Sequence, residues 1–189
     1  SSRHMRDDGR FHWRRISQMN GALLILTLLL GSFGVLMMVS ASGGGWDPYA
    51  SRQVTRFAVG FVLMIIVALT PITLWQRGAY VLYGIGMVLL LIVEAMGHIG
   101  MGAQRWVQFA GVTVQPSEFM KLALILVLAR WFHAIHSADQ HRIIWMIPPL
   151  LLIAMPAVLI LLQPNLGTAT IMVGVGGILW FVAGLRWRW

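Results

Sequence analysis

The sequence predicts an all-α polytopic membrane protein with about six transmembrane helices. Three observations carry that prediction. The chain is 58% hydrophobic. Only 11% of its residues are charged, against about 25% in a soluble domain. Six apolar runs, most of them long enough to cross a hydrocarbon core, alternate with polar breaks. Together these place residues 19–189 in one transmembrane domain, after a basic segment at 6–18 and a vector-like leader, Ser1–Met5.

The first run is Met19–Ser42, and it ends at the turn residues Gly43-Gly44-Gly45-Trp46-Asp47-Pro48. It is too long for a signal-peptide core, so a retained signal-anchor helix is the preferred reading. The second, Val54–Leu69, is short but can span with tilt or snorkelling flanks. Pro71 ends it, and Trp75-Gln76-Arg77-Gly78 reads as a compact connection. The third run is Ala79–Met96, followed by a long polar and aromatic loop, Gly97–Gln115. The fourth run is Pro116–Ile135 and the fifth Ile143–Leu162. The break Gln163–Gly167 is so short that the fifth and sixth helices must form a tight antiparallel hairpin. The sixth run is Thr168–Leu185.

Basic residues set the predicted orientation. Arg6, Arg10, Arg14, Arg15, Arg77, Arg130, Arg142, Arg186 and Arg188 fall on the side of the N-terminus, and Arg52, Arg56 and Arg105 on the other. The positive-inside rule then predicts a cytoplasmic N-terminus. The loop before Pro116 and the turn at Gln163 would both face outward. The net charge of +8 is distributed at the ends of apolar runs, which suits anionic headgroups and excludes nucleic acid as the expected partner. There is no cysteine, so disulfides and thiolate metal sites are excluded.

Two stretches carry polar chemistry into this apolar setting. Glu118 and Lys121 are three residues apart and should share a helix face. Ionisable residues within spanning segments usually face a bundle interior or a wet cavity, and often each other. A structural ion pair and a substrate-cavity pair both remain open. The second feature is a pair of Gln-Pro steps, Gln115-Pro116 and Gln163-Pro164. Proline is favoured at the first helical position, so both steps predict outward-facing helix N-termini. Free N–H groups there, with Arg105 nearby, would suit a phosphate or pyrophosphate, although spacing alone favours prolines that simply start helices. Glu94 is read as an interfacial carboxylate. His133, His136 and His141 read as loop histidines. Gly174, Gly176 and Gly177 read as packing positions, because Leu179 breaks a dinucleotide fingerprint.

Three motifs, Gly102-Ala103-Gln104-Arg105-Trp106, Gln115-Pro116-Ser117-Glu118 with Lys121, and Gln163-Pro164-Asn165-Leu166-Gly167-Thr168, resemble the signature of the SEDS family (shape, elongation, division and sporulation). The resemblance runs from the first apolar run to the last residue and is strongest to the rod-shape branch. It implies a ten-helix fold that polymerises glycan strands from lipid II, a disaccharide-pentapeptide on undecaprenyl pyrophosphate. It also implies a class B penicillin-binding protein as partner and the bacterial cytoplasmic membrane as location. Arg105, Gln115, Ser117, Glu118, Lys121, Gln163 and Asn165 match its motif positions and would be supporting or substrate-binding residues.

Two departures bear on chemistry. Asn165 stands where the family usually has aspartate, and an amide can cap a helix but cannot act as a base. The family's catalytic aspartate lies between its seventh and eighth helices, beyond the six here. No catalytic residue is therefore assignable, and the chain alone is expected to be inactive. No cofactor is evident. A divalent cation would assist a departing pyrophosphate, but the sequence supplies no ligand set for one. A lipid-linked precursor flippase and a non-catalytic scaffold for a transpeptidase are the alternative readings.

Overall fold

The computed structural model describes residues 19–96, 99–100, 103–104, 107–109, 112–135 and 143–184. Six α-helices dominate it: α1 (Gly21–Ala41), α2 (Tyr49–Leu69), α3 (Ile72–Met96), α4 (Pro116–Ala134), α5 (Ile147–Leu162) and α6 (Leu166–Gly184). Five spans among the described residues are long and apolar enough to cross a membrane. The remaining helix, α4, is the one that carries Glu118, Lys121 and Arg130. The chain is a multi-pass membrane protein. Among the described residues it exposes many large Leu, Ile, Val, Met and Phe side chains, a surface that would aggregate in water and is ordinary against lipid.

The chain divides into two compact units, residues 1–71 and 72–189. In the first, α1 and α2 pair as a hairpin. The Asn20 side-chain oxygen accepts from the backbone N–H groups of Ala22 and Leu23, the ordinary chemistry of a helix start. Gly43 and Gly44, at φ 71° and 89°, turn the chain out of α1, and the Gly44 N–H closes back on the Val39 carbonyl at 2.9 Å. Gly31 lets the Phe57 ring lie where a Cβ would otherwise stand. Close approach over a small residue is the usual basis of helix pairing in lipid, where burial of apolar surface gives no driving force.

The second unit packs α3, α4, α5 and α6 around Ala79, Tyr83, Leu90, Met120, Leu124, Val127, Leu128, Ile153, Ile160, Ala169 and Met172. The helices alternate in direction, so α4 and α6 both begin at the end where α3 and α5 finish. We call this the head end. Gly86 faces Met120 and Phe119 across α3 and α4, and Gly176 faces Ile153 across α5 and α6.

Proline explains much of the second unit. A proline at position i leaves the carbonyl of residue i−4 without its helical donor, and no water reaches a bilayer core to replace it. Pro156 does this to Leu152 inside α5, and the Tyr83 hydroxyl of α3 donates to that carbonyl at 2.8 Å. Pro148 and Pro149 remove both the i+3 and i+4 donors of Trp145. The Trp131 indole N–H donates to that carbonyl at 3.3 Å. Trp180 donates to the neighbouring Met146 carbonyl at 3.1 Å, an acceptor that no proline has freed. At the end opposite the head, Arg130 reaches from α4 to the carbonyls of Gln76 and Arg77 and lies 4.7 Å above the Tyr80 ring.

Several sequence-based boundaries move. Trp75–Gly78 is not a connection: it lies inside α3, and the break is Thr70–Pro71. Proline breaks the hydrogen-bond ladder there, whereas Trp, Gln and Arg continue a helix readily. The second helix begins at Tyr49 rather than Val54, taking Arg52 and Arg56 into its first turns. The fifth span opens with a 3₁₀ turn, Ile143–Met146, ahead of its two prolines. The long loop after α3 holds two short antiparallel ladders, β1 (Ile99–Gly100) with β2 (Ala103–Gln104) and β3 (Val107–Phe109) with β4 (Val112–Val114). In β3 and β4, Val107 pairs with Val114 and Phe109 with Val112, so alternating apolar residues within a loop rich in Gly mark a hairpin.

Candidate functional site

Among the described residues, the buried polar side chains of the bundle are Ser117, Gln163 and Asn165. All three lie at the head end, in the first turn of α4 and in the turn between α5 and α6. The two Gln-Pro steps build different structures there. Pro116 occupies the first turn of α4 as predicted. Gln115 precedes it in extended backbone, makes no side-chain cap, and accepts the Glu118 N–H through its carbonyl at 3.1 Å.

Pro164 does not start a helix. Gln163 ends α5, Pro164 lies in the turn, and α6 begins at Leu166 rather than Thr168. The residue that starts α6 is Asn165, whose side-chain oxygen accepts the Thr168 N–H at 3.3 Å and whose carbonyl accepts the Ala169 N–H at 3.1 Å. Asparagine is among the best N-cap residues because its short side chain reaches back to an unpaired N–H. Position 165 thus performs its structural task with an amide, and the task calls for an oxygen acceptor rather than a charge. Gln163 is 3% exposed and its side-chain N–H donates to the Leu90 carbonyl of α3 at 3.3 Å. That bond fastens the α5–α6 turn to the head end of α3.

Glu118 and Lys121 do share a face, and they pair: Lys121 Nζ lies 2.8 Å from Glu118 Oε2. Lys121 is 24% exposed and Glu118 57%. They stand in the first two turns of α4, about 3 and 7.5 Å along the axis from Pro116 at 1.5 Å per residue. This is shallower than mid-membrane, and the insertion penalty is correspondingly below the central value of about 2.5–3.5 kcal/mol. Were this face in water, an i,i+3 pair would contribute only about 0.2–0.5 kcal/mol. Stability therefore gives little reason for two charges here.

The pair stands at the head of a groove of about 450 Å³ between α4 and α6, lined also by Phe119, Leu122, Leu124, Ile125, Met172 and Val175. The lining residues on each helix lie at similar depths below its first turn, so α4 and α6 descend side by side from the same end. The groove is charged at its mouth and apolar below. Ser117 adds a second feature. Its hydroxyl is buried and has no hydrogen-bond partner, in the first turn of a helix whose leading N–H groups also lack helical acceptors.

Arg105, His136 and His141 lie outside the described residues. His133 is exposed near the end of α4, and Glu94 is half-buried near the head end of α3. The aromatic donors to proline-freed carbonyls, Tyr83 and Trp131, were missed by sequence reasoning. The prolines at 148, 149 and 156 were the available signal, since each announces an acceptor in need of a donor.

A family model described as cell cycle protein, FtsW/RodA/SpoVE, matches residues 21–189. The chain belongs to this family. Among curated relatives, the family member described here is 33% identical over 176 residues to peptidoglycan glycosyltransferase MrdB of Escherichia coli, covering 93% of this chain and 46% of that one. It is 33% identical over 178 residues to stage V sporulation protein E of Bacillus subtilis, covering 87% of this chain and 47% of that one. The chain thus spans about half the length of the curated relatives it matches. Among solved structures it is similar to the Thermus thermophilus rod shape determining protein RodA, with 28% identity and a TM-score of 0.74 over 90% of this chain and 56% of that one. It also matches a chain of a peptidoglycan synthase complex, at 30% identity and a TM-score of 0.78 over 90% of this chain and 49% of that one.

Proposed function

We propose that this chain is the N-terminal part of a peptidoglycan glycosyltransferase that polymerises lipid II during rod-shape elongation of the cell wall. The observation that carries the reading is the Lys121–Glu118 pair at the mouth of the α4–α6 groove. A polyprenyl diphosphate has the same asymmetry, an anionic head on a long apolar chain. Lys121 would meet the diphosphate, and Glu118 would hold the ammonium in place. Leu122, Ile125 and Val175 would receive the first isoprene units. Glycosyl transfer needs positive stabilisation of the departing diphosphate and a base for the acceptor hydroxyl. The residues here suit the first task, and the base would come from the part of the protein that this chain does not span.

The names of the relatives support the activity, and the matched synthase complex supports a class B penicillin-binding protein as partner. The exposed Arg77 and the tethered Arg130, both at the end opposite the head, support a cytoplasmic location for that end in the inner membrane.

The test is polymerisation of purified lipid II by the complete protein. Lys121→Ala should lower the rate of glycan strand formation by at least about tenfold, a loss of about 1.4 kcal/mol of transition-state stabilisation. Leu150→Ala, on the lipid-exposed face of α5, should leave it unchanged. Equal rates in the two variants would remove the pair from the reaction. Movement of lipid II across vesicle membranes without strand formation would replace the polymerase reading with a flippase.

A further inference from the structure

Tyr83 and Pro156 have no part in the substrate contacts proposed above, yet their geometry bears on the head end. Pro156 divides α5 into a segment ending at Met155 and a segment from Ala157 to Leu162 that runs into the Gln163–Asn165 turn. The backbone bond that would cross this division, from residue 156 to Leu152, cannot form. The Tyr83 hydroxyl takes its place at 2.8 Å. The head segment, on the other side of the proline, is held at its far end by the Gln163 side chain on the Leu90 carbonyl at 3.3 Å. Tyr83 and Leu90 are seven residues apart in α3, which puts them on one stripe of that helix, and both are buried. The segment before the proline is thus tied to α3 through Leu152 and the head half through Gln163, both to a single stripe of α3, with the proline hinge between the two ties.

We infer that Tyr83 is a positioning residue. By occupying the carbonyl that Pro156 leaves bare, it fixes the angle at which the head half of α5 presents the Gln163–Asn165 turn. Without the hydroxyl, Leu152 has neither a backbone nor a side-chain donor, and the hinge gains freedom to bend. Its consequence for turnover rests on the proposed polymerase reading, whereas its consequence for structure does not.

The chain contains no cysteine, so a pair of spin labels can be placed cleanly. Leu166→Cys on the turn side and Ile92→Cys on α3 are both exposed positions. In lipid nanodiscs the parent chain should give one narrow distance distribution. Tyr83→Phe keeps the ring and removes the donor, and should broaden or shift that distribution. Pro156→Ala restores the backbone N–H. In its background, Tyr83→Phe should therefore leave the distribution narrow. A Tyr83→Phe distribution identical to the parent's would overturn the inference. So would broadening that Pro156→Ala fails to rescue. If Tyr83→Phe alone does not fold, the comparison of Pro156→Ala with the double variant still decides: a further change on adding Tyr83→Phe contradicts the hinge. In the complete protein, the same rescue should appear as recovery of a several-fold loss in kcat/KM for lipid II. A complete protein that makes no glycan strands would defeat the polymerase reading and leave the label result standing.

Discussion

Asn165 shows how one atom can matter more than a charge. Its side-chain oxygen starts α6 by accepting the Thr168 N–H. Asn165→Ala should cost about 1 kcal/mol, the usual loss for an N-cap, and lower the melting temperature of the purified chain by about 2–4 °C. Asn165→Asp should hold or slightly raise that temperature, because a carboxylate also accepts and suits the positive end of a helix. No drop for Ala would mean that the cap contributes nothing, and a drop for Asp equal to that for Ala would mean that a carboxylate cannot take over the cap. Much of this scale was legible in the sequence. The i,i+3 spacing placed Glu118 and Lys121 together, and Pro116 stood where a leading proline belongs. Pro164 was misread because the same dipeptide serves a helix start in one place and a turn in the other. The difference lies in Asn165, a better cap than the glutamine before Pro116.

At the scale of elements, α5 depends on its neighbours. Its three prolines would leave carbonyls bare in hydrocarbon were it isolated. The two aromatic donors should differ in weight. The Tyr83 bond is internal to the bundle, whereas the Trp131 bond lies at the exposed end of α4, where water can take over the Trp145 carbonyl. Tyr83→Phe should therefore lower thermal stability more than Trp131→Phe, with the first at or somewhat above the roughly 0.6 kcal/mol average for hydrogen bonds between membrane helices. The opposite order would contradict the proline account. Packing gives a second contrast on α6. A Cβ at Gly176 would stand 2.7 Å from Ile153 Cγ1, whereas one at Gly177 meets nothing within 4 Å. Gly176→Ala should cost about 1–3 kcal/mol through overpacking. Gly177→Ala should be neutral or favourable, since alanine is the better helix former. Ile153→Ala should abolish the Gly176→Ala penalty in a thermal-shift experiment. Of the three glycines read as packing positions, only Gly176 meets a neighbour, whereas a Cβ at Gly174 or Gly177 meets nothing within 4 Å, and nothing in a single sequence says which faces a neighbour. The helix runs themselves were plain, because a hydrocarbon solvent demands continuous apolarity. Their ends were not, since Trp, Gln and Arg at 75–77 read as a loop by polarity and as an interfacial helix start by structure.

In the second unit, the buried polar side chains among the described residues are concentrated at one end. Ser117, Gln163, Asn165 and the Glu118–Lys121 pair all gather where α4 and α6 begin. The opposite end is closed by indole, guanidinium and phenol groups serving backbone carbonyls and one another. This division was only half visible beforehand. The motifs showed that the polar residues fall on one side of the membrane, but the groove between α4 and α6 arises from two helices far apart in sequence. Its depth depends on the residues that each turns toward the other, which spacing within one helix does not reveal.

The most direct measurement is photo-crosslinking of the complete protein in proteoliposomes with a lipid-linked disaccharide whose isoprene chain carries a diazirine near the diphosphate. Adducts should map to Leu122, Ile125 and Val175 in the α4–α6 groove and should disappear in Lys121→Ala. Adducts spread equally over the exposed face of α5, at Leu150 and Leu161, and unaffected by Lys121→Ala, would contradict the assignment of the groove to the substrate.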